Sequence, residues 1–130
     1  VNTCAPWHLR QYQIVTKNDE RVSLQLELNG QDGSIVVFSG EGKGTLSAAI
    51  DALQHICDAK PDIVDYHEHA LINTAKSGYG ATSSAVSYVQ IAIDGRRCWG
   101  VGIAEDTVRS ALSALISAIN RSAIQIRAVA

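Results

Sequence analysis

A duplicated α+β fold is what this sequence predicts: two βββα units whose antiparallel sheets pack with two helices. Three observations carry the prediction. Segments with apolar residues at every second position come in threes, and each triplet is followed by a segment with apolar residues at helical spacing. The third strand of each triplet ends in Gly-x-Gly, Gly40 and Gly42 in the first and Gly100 and Gly102 in the second, shortly before its helix. An order that recurs with the same glycine signature points to an internal duplication. Finally, 130 residues that are 46% hydrophobic and 18% charged make one ordinary globular domain with enough chain for a core. It divides into a tail over 1–8, a first unit over 9–60, a second over 61–121 and a C-terminal tail over 122–130.

The elements follow in order. Leu9 to Thr16 reads as a first strand after a tail containing Pro6 and Trp7, and Asn18-Asp19-Glu20 as a polar turn. Val22, Leu24, Leu26 and Leu28 alternate with Ser23, Gln25, Glu27 and Asn29, the period-two signature of a strand with one buried face. Asn29 to Gly33 supplies hairpin turn chemistry, and Ser34 to Ser39 returns as the third strand. Leu46, Ala49, Ile50, Leu53 and Ile56 then form a helical stripe, with Asp51, Gln54 and His55 off it and Lys60-Pro61 as the stop.

In the second unit Ile63 to Ile72 reads as a strand and Asn73 to Gly80 as a loop. Ala85, Ser87, Val89, Ile91 and Ile93 line one face of a fifth strand, and Asp94-Gly95 marks a turn. Arg97, Trp99, Val101 and Ile103 share one face of a sixth strand. Val108, Ala111, Leu112, Leu115, Ile116 and Ile119 make the second helical stripe, preceded by Glu105 and Asp106, whose charge suits a helix N-terminus. Two broadly apolar helices on short α+β units also lead to the expectation of a homodimer.

Charge and composition exclude several classes. Lys and Arg total 11 against 13 acids, with a net charge of -2 and no basic run, so no nucleic-acid partner is expected. No apolar stretch approaches membrane-spanning length and no signal peptide is visible, so no membrane partner is expected either. Cys4, Cys57 and Cys98 are widely spaced, odd in number and without a C-x-x-C pair, and read as reduced packing residues of a cytoplasmic protein. The absence of Met suggests a piece of a longer chain.

The candidate binding element is Gly40-Glu41-Gly42-Lys43-Gly44-Thr45-Leu46, read as a glycine loop that turns sharply at positive φ and runs into a helix. Such a helix start presents free N–H groups and the positive end of the dipole, an anion seat for a carboxylate or a phosphate. The P-loop pattern fails because Gly44 separates Lys43 from Thr45, and Gly-x-Gly-x-Gly is not the dinucleotide fingerprint. Asp65-Tyr66-His67-Glu68-His69 gathers ionisable groups on one strand, with His67 and His69 facing one way and Glu68 the other. No distant Cys or His cluster completes a metal site, and no nucleophile elbow is present, so no catalytic and no metal-ligating residue is assigned. Gly80 to Ser84 reads as a small-residue loop beside a strand edge, with room for a ligand.

Several ordered motifs together resemble one family. They are Gly40-x-Gly42-x-Gly44-x-Leu46, Asp65-Tyr66-x-Glu68-His69-Ala70, Ala85-x-x-Tyr88-Val89, Trp99-Gly100-Val101-Gly102-Ile103-Ala104 and a closing Ser117-Ala118-Ile119-Asn120-Arg121. Over Leu9 to Arg121 they look like the C-terminal regulatory domain of the long-form α-isopropylmalate synthases. The resemblance implies a domain that binds L-leucine for feedback inhibition and pairs as a homodimer, with no cofactor of its own. It also implies an acetyl-CoA-dependent condensation with 2-oxoisovalerate on an N-terminal TIM-barrel domain, which would carry the divalent metal. By motif match, leucine would lie near the dimer interface beside Gly42, Lys43, Gly44, Leu46, Ser47, Tyr66, Ala70, Ser83, Ala85 and Ile103. Lys43 stands where Asn is common in that family and Thr45 where Pro is common. The residues by themselves do not choose between leucine, isoleucine as in related citramalate synthases, and a dimerisation module with no ligand.

Overall fold

The computed structural model describes residues 6–17, 20–54, 60–73 and 82–129. Cys4, His55, Ile56, Cys57 and the expected Asn73-to-Gly80 loop beyond Asn73 itself lie outside them. The elements run β1 (His8–Thr16), β2 (Val22–Asn29), β3 (Ile35–Gly42), α1 (Thr45–Leu53), β4 (Asp62–Asn73), β5 (Thr82–Ile93), β6 (Arg96–Ala104) and α2 (Thr107–Val129). They form two three-stranded antiparallel sheets in the orders β1-β2-β3 and β4-β5-β6, each followed by its helix. This is the expected α+β arrangement of two βββα units.

Local chemistry explains the hairpins. Gly33 takes φ +84 in the β2–β3 turn, where Asp32 Oδ1 accepts from the Ser34 N–H at 3.0 Å. Between β5 and β6, Asp94 (φ 50) and Gly95 (φ 75) both occupy the left-handed region that a two-residue type I′ turn demands. On β2 the alternation holds as read, with Leu24, Leu26 and Leu28 buried. α1 packs on β3 and β2, whereas α2 packs on β6 and β5 and also reaches β1. One core therefore runs through both units, from Leu24, Leu26, Leu28 and Leu53 to Val89, Ile91, Leu112 and Leu115.

The glycines work differently from the sequence reading. β3 continues through Gly40 and Gly42, so these two are strand residues and not a loop. Positive φ among the glycines of the described residues occurs at Gly33 and Gly95, not at Gly40, Gly42 or Gly44. What the strand glycines supply is close approach: a Cβ on Gly40 would collide with the backbone of Ala48 and Ala52, and one on Gly100 with that of Ala114 and Ala118. Gly42 and Gly102 lie one step further along, against Ser47 and Ala48 and against Ser110, Ser113 and Ala114. Ala48 and Ala52, which the apolar stripe of α1 passed over, are accordingly fully buried, while Leu46 is only half-buried.

Both expected tails carry structure. Trp7 is buried, meets Phe38 edge-on at a centroid distance of 5.8 Å, and exchanges two 2.8 Å hydrogen bonds between its backbone and the Asn120 side-chain amide. α2 runs past Arg121 to Val129, because Ser-Ala-Ile-Gln-Ile-Arg-Ala-Val contains neither Gly nor Pro to end it. Among the described residues no helix is long and apolar enough to cross a membrane.

A candidate ligand cavity between two helix N-termini

β4 is an edge strand, and its inner face extends beyond the helices. Tyr66, Glu68 and Ala70 alternate on that face beside Val89, Ser87 and Ala85 of β5. α2 covers β5 and β6, so the inner side of β4 is left open. There a cavity of about 360 Å³ is lined by Gly44, Thr45, Leu46 and Ser47 of the α1 start, Tyr66 and Glu68 of β4, and Thr107, Val108 and Ala111 of the α2 start. Its size lies at the lower end of the range for small-molecule sites.

The two helix N-termini that meet at this cavity are finished differently. α2 brings its own anion: Asp106 Oδ1 accepts from the Val108 N–H at 3.0 Å, and Oδ2 accepts from the Tyr12 hydroxyl. α1 begins at Gly44, whose extended backbone (φ -154, ψ 178) offers no side-chain cap, and its first turn carries no acidic residue. Ala48 N–H is the first of α1 to find a carbonyl in its own helix, that of Gly44. The N–H groups of Thr45, Leu46 and Ser47 therefore have no acceptor four residues back, and a Cβ at Gly44 would meet open space.

The register of helix on strand explains the opening. Ala48 meets Gly40 as Ala114 meets Gly100. α1 starts three residues before Ala48, but α2 starts seven before Ala114. α1 thus lacks about one N-terminal turn relative to α2, and the room left by that turn is part of the cavity.

Behind the lining residue Tyr66 lies a buried pair of hydroxyls, Ser87 and Ser110. Ser110 Oγ donates to the Thr107 carbonyl at 2.9 Å, which leaves its oxygen to accept from the fully buried Ser87 at 2.7 Å. Tyr66 donates to Glu68 Oε1 at 3.0 Å. Partial burial, and beyond it the Glu68 carboxylate, push the Tyr66 phenol above its ordinary value, against a lowering contact from Ser87. The wall is mixed: Leu46, Val108 and Ala111 are apolar, while Glu68 supplies an acceptor for a cation.

Of the residues expected near a ligand, the structure brings Gly44, Leu46, Ser47 and Tyr66 together in the cavity. Gly42 lies in β3 against α1, and Lys43 is exposed beside Gly44. Ala70 and Ala85 pair with each other two residues beyond Glu68, continuing the same inner face. Ser83 pairs with Ile72 further along β5, and Ile103, paired with Val86, is exposed on the opposite face of the second sheet. The list of expected residues lacked Glu68, Thr107, Val108 and Ala111. The duplication was the signal for the last three, because equivalent helices on equivalent sheets place equivalent ends near one another.

His67 and His69 do face away from Glu68, and each has partners of its own. His67 pairs with Asp65 at 3.1 Å and stacks near Trp99, while His69 lies edge-on to Tyr88. Among the described residues no group of three metal-ligating side chains is assembled.

The chain is 41% identical over 84 residues to a 2-isopropylmalate synthase of Helicobacter hepaticus, covering 65% of this chain and 14% of that protein. It is 36% identical over 101 residues to the Mycobacterium leprae 2-isopropylmalate synthase, with 78% and 15% covered, and 38% identical over 111 residues to that of Thermobifida fusca, with 85% and 18% covered. This chain thus spans less than one fifth of the length of these relatives. A family model matches residues 2–123, nearly the whole chain, and on that match the chain belongs to the LeuA allosteric (dimerisation) domain family.

Proposed function

We propose that this domain binds L-leucine in the cavity between the α1 and α2 starts and so confers feedback inhibition on a 2-isopropylmalate synthase. One observation carries the reading: an uncapped helix N-terminus opens into a cavity whose neighbouring helix is capped by its own aspartate. The α-carboxylate of the amino acid accepts from the N–H groups of Thr45, Leu46 and Ser47, aided by the helix dipole. Glu68 holds the ammonium, and Leu46, Val108 and Ala111 face the isobutyl group. The names of the relatives favour leucine over isoleucine, since leucine is the end product of the pathway that 2-isopropylmalate synthase commits.

The domain itself performs no chemistry in this reading. Condensation of acetyl-CoA with 2-oxoisovalerate belongs to an N-terminal metal-bearing TIM barrel of a longer, cytoplasmic parent chain, and the domain acts on it as part of a homodimer. Titration calorimetry with leucine, isoleucine and valine tests the ligand assignment. Leucine is expected to bind most tightly, and Gly44→Asp, which adds a competing cap carboxylate, is expected to weaken leucine by about tenfold or more, on the order of 1.4 kcal/mol. Stronger binding of isoleucine would reassign the domain to a citramalate synthase. Full leucine affinity in Gly44→Asp would move the carboxylate away from α1.

A further inference from the structure

The outer faces of the two sheets differ in their aromatic content. That of the first sheet is mixed and without an aromatic side chain: Gln11, Gln13, Gln25 and Glu27 lie among the exposed aliphatic residues Val15, Ile35 and Val37. On the second sheet the corresponding face carries Tyr88, Trp99, Val101 and Ile103, exposed by 38, 39, 38 and 64%. These side chains are contiguous: His67, Tyr88 and Val101 stand in one row across β4, β5 and β6, and His69, Val86 and Ile103 in the next. A patch of this kind on a sheet face marks an interaction surface.

Its charges select the occupant. Asp65 stands at the β4 edge, in the row of Gln90 and Trp99, and Arg97 stands exposed at the β6 edge, two residues from Trp99. The geometry points to a second copy of this chain, packed face to face through this sheet about a two-fold axis running along β5. Such an axis lays β4 of one copy over β6 of the other, so Asp65 of each comes opposite the Arg97 region of its partner, while the aromatic and aliphatic rows meet between them. Facing sheets pack about 10 Å apart and residues two apart on a strand lie about 7 Å apart, both within the reach of an arginine. The alternative axis, across the strands, stacks β4 on β4 and leaves the two charges unmatched.

This inference rests on the dimerising reading of the family, and the test separates the two. Light scattering and sedimentation on the chain and its variants measure the dimer constant. The parent chain is expected to be a dimer, with Val101→Lys, Asp65→Arg and Arg97→Asp each at least tenfold weaker. The double variant Asp65→Arg with Arg97→Asp is expected to recover much of that loss, with circular dichroism unchanged throughout. A monomeric parent chain would overturn the dimerising reading and this surface with it. A dimeric parent whose variants all remain equally dimeric overturns this surface alone, and single losses without recovery in the double variant overturn the axis.

Discussion

The two βββα units share a scaffold and differ at the helix start. In both, a strand glycine pair lets a helix backbone settle onto the third strand, Gly40 under Ala48 and Ala52, Gly100 under Ala114 and Ala118. In the second unit the helix begins one turn earlier and Asp106 closes it, tied in turn to Tyr12 of β1. In the first unit that turn is missing and Gly44 leaves the end open. A duplicated unit can thus be structural in one copy and receptive in the other, because the difference between a closed and an open helix end is one carboxylate and four residues.

The shared scaffold is the strongest part of the comparison to attack. Gly40→Val and Gly100→Val each force a side chain into helix backbone, and each should cost about 3 kcal/mol or more in denaturant unfolding. A unit that tolerates its substitution would break the equivalence of the two glycine seats. The differing helix ends come next. Asp106→Ala removes a cap and the partner of Tyr12, and a loss of about 1–2 kcal/mol is expected, whereas Gly44→Asp should change stability by only a few tenths, in the stabilising direction. An Asp106→Ala variant as stable as the parent chain would mean that the two ends are not distinguished by capping.

Within the cavity, Glu68→Gln keeps the shape of the side chain and removes its charge. Leucine affinity should fall by roughly fivefold, or about 1 kcal/mol for an ion pair open to solvent, as read by calorimetry. The smallest effect is alkaline. Because the folded state raises the Tyr66 pKa above 10.0, the neutral phenol is favoured by folding. Its contribution is complete below about pH 10 and is lost as pH rises through the folded value. Unfolding midpoints measured from about pH 8 to about pH 11 should therefore decline more in the parent chain than in Tyr66→Phe.

Much of this was legible in the residues. Alternation at Leu24, Leu26 and Leu28, the Asp94-Gly95 turn and the recurring Gly-x-Gly report on local periodicity and backbone freedom, which are properties of neighbouring residues. The role of the glycines was misread because glycine permits both positive φ and close packing, and only the opposing surface tells which is used. The same limit hid Ala48 and Ala52: alanine adds little to an apolar stripe, but its smallness matters once a strand lies against it. Glu68 drew notice as a charge on a strand, yet nothing local said that its face would overhang the helices.

The sequence by itself determined the α+β class, the duplication, the hairpin turns, the Asp106 helix start and, through its ordered motifs, the family. These follow from spacings along the chain, which any folded arrangement must respect. Only the tertiary structure decided that Gly40 and Gly42 are a seat for α1, that the α1 and α2 starts meet over Tyr66 and Glu68, and that Trp99, Val101 and Ile103 look outward. Each depends on which surface of one element faces another across the core. That choice is made by packing the two units together, and no short stretch of residues carries it.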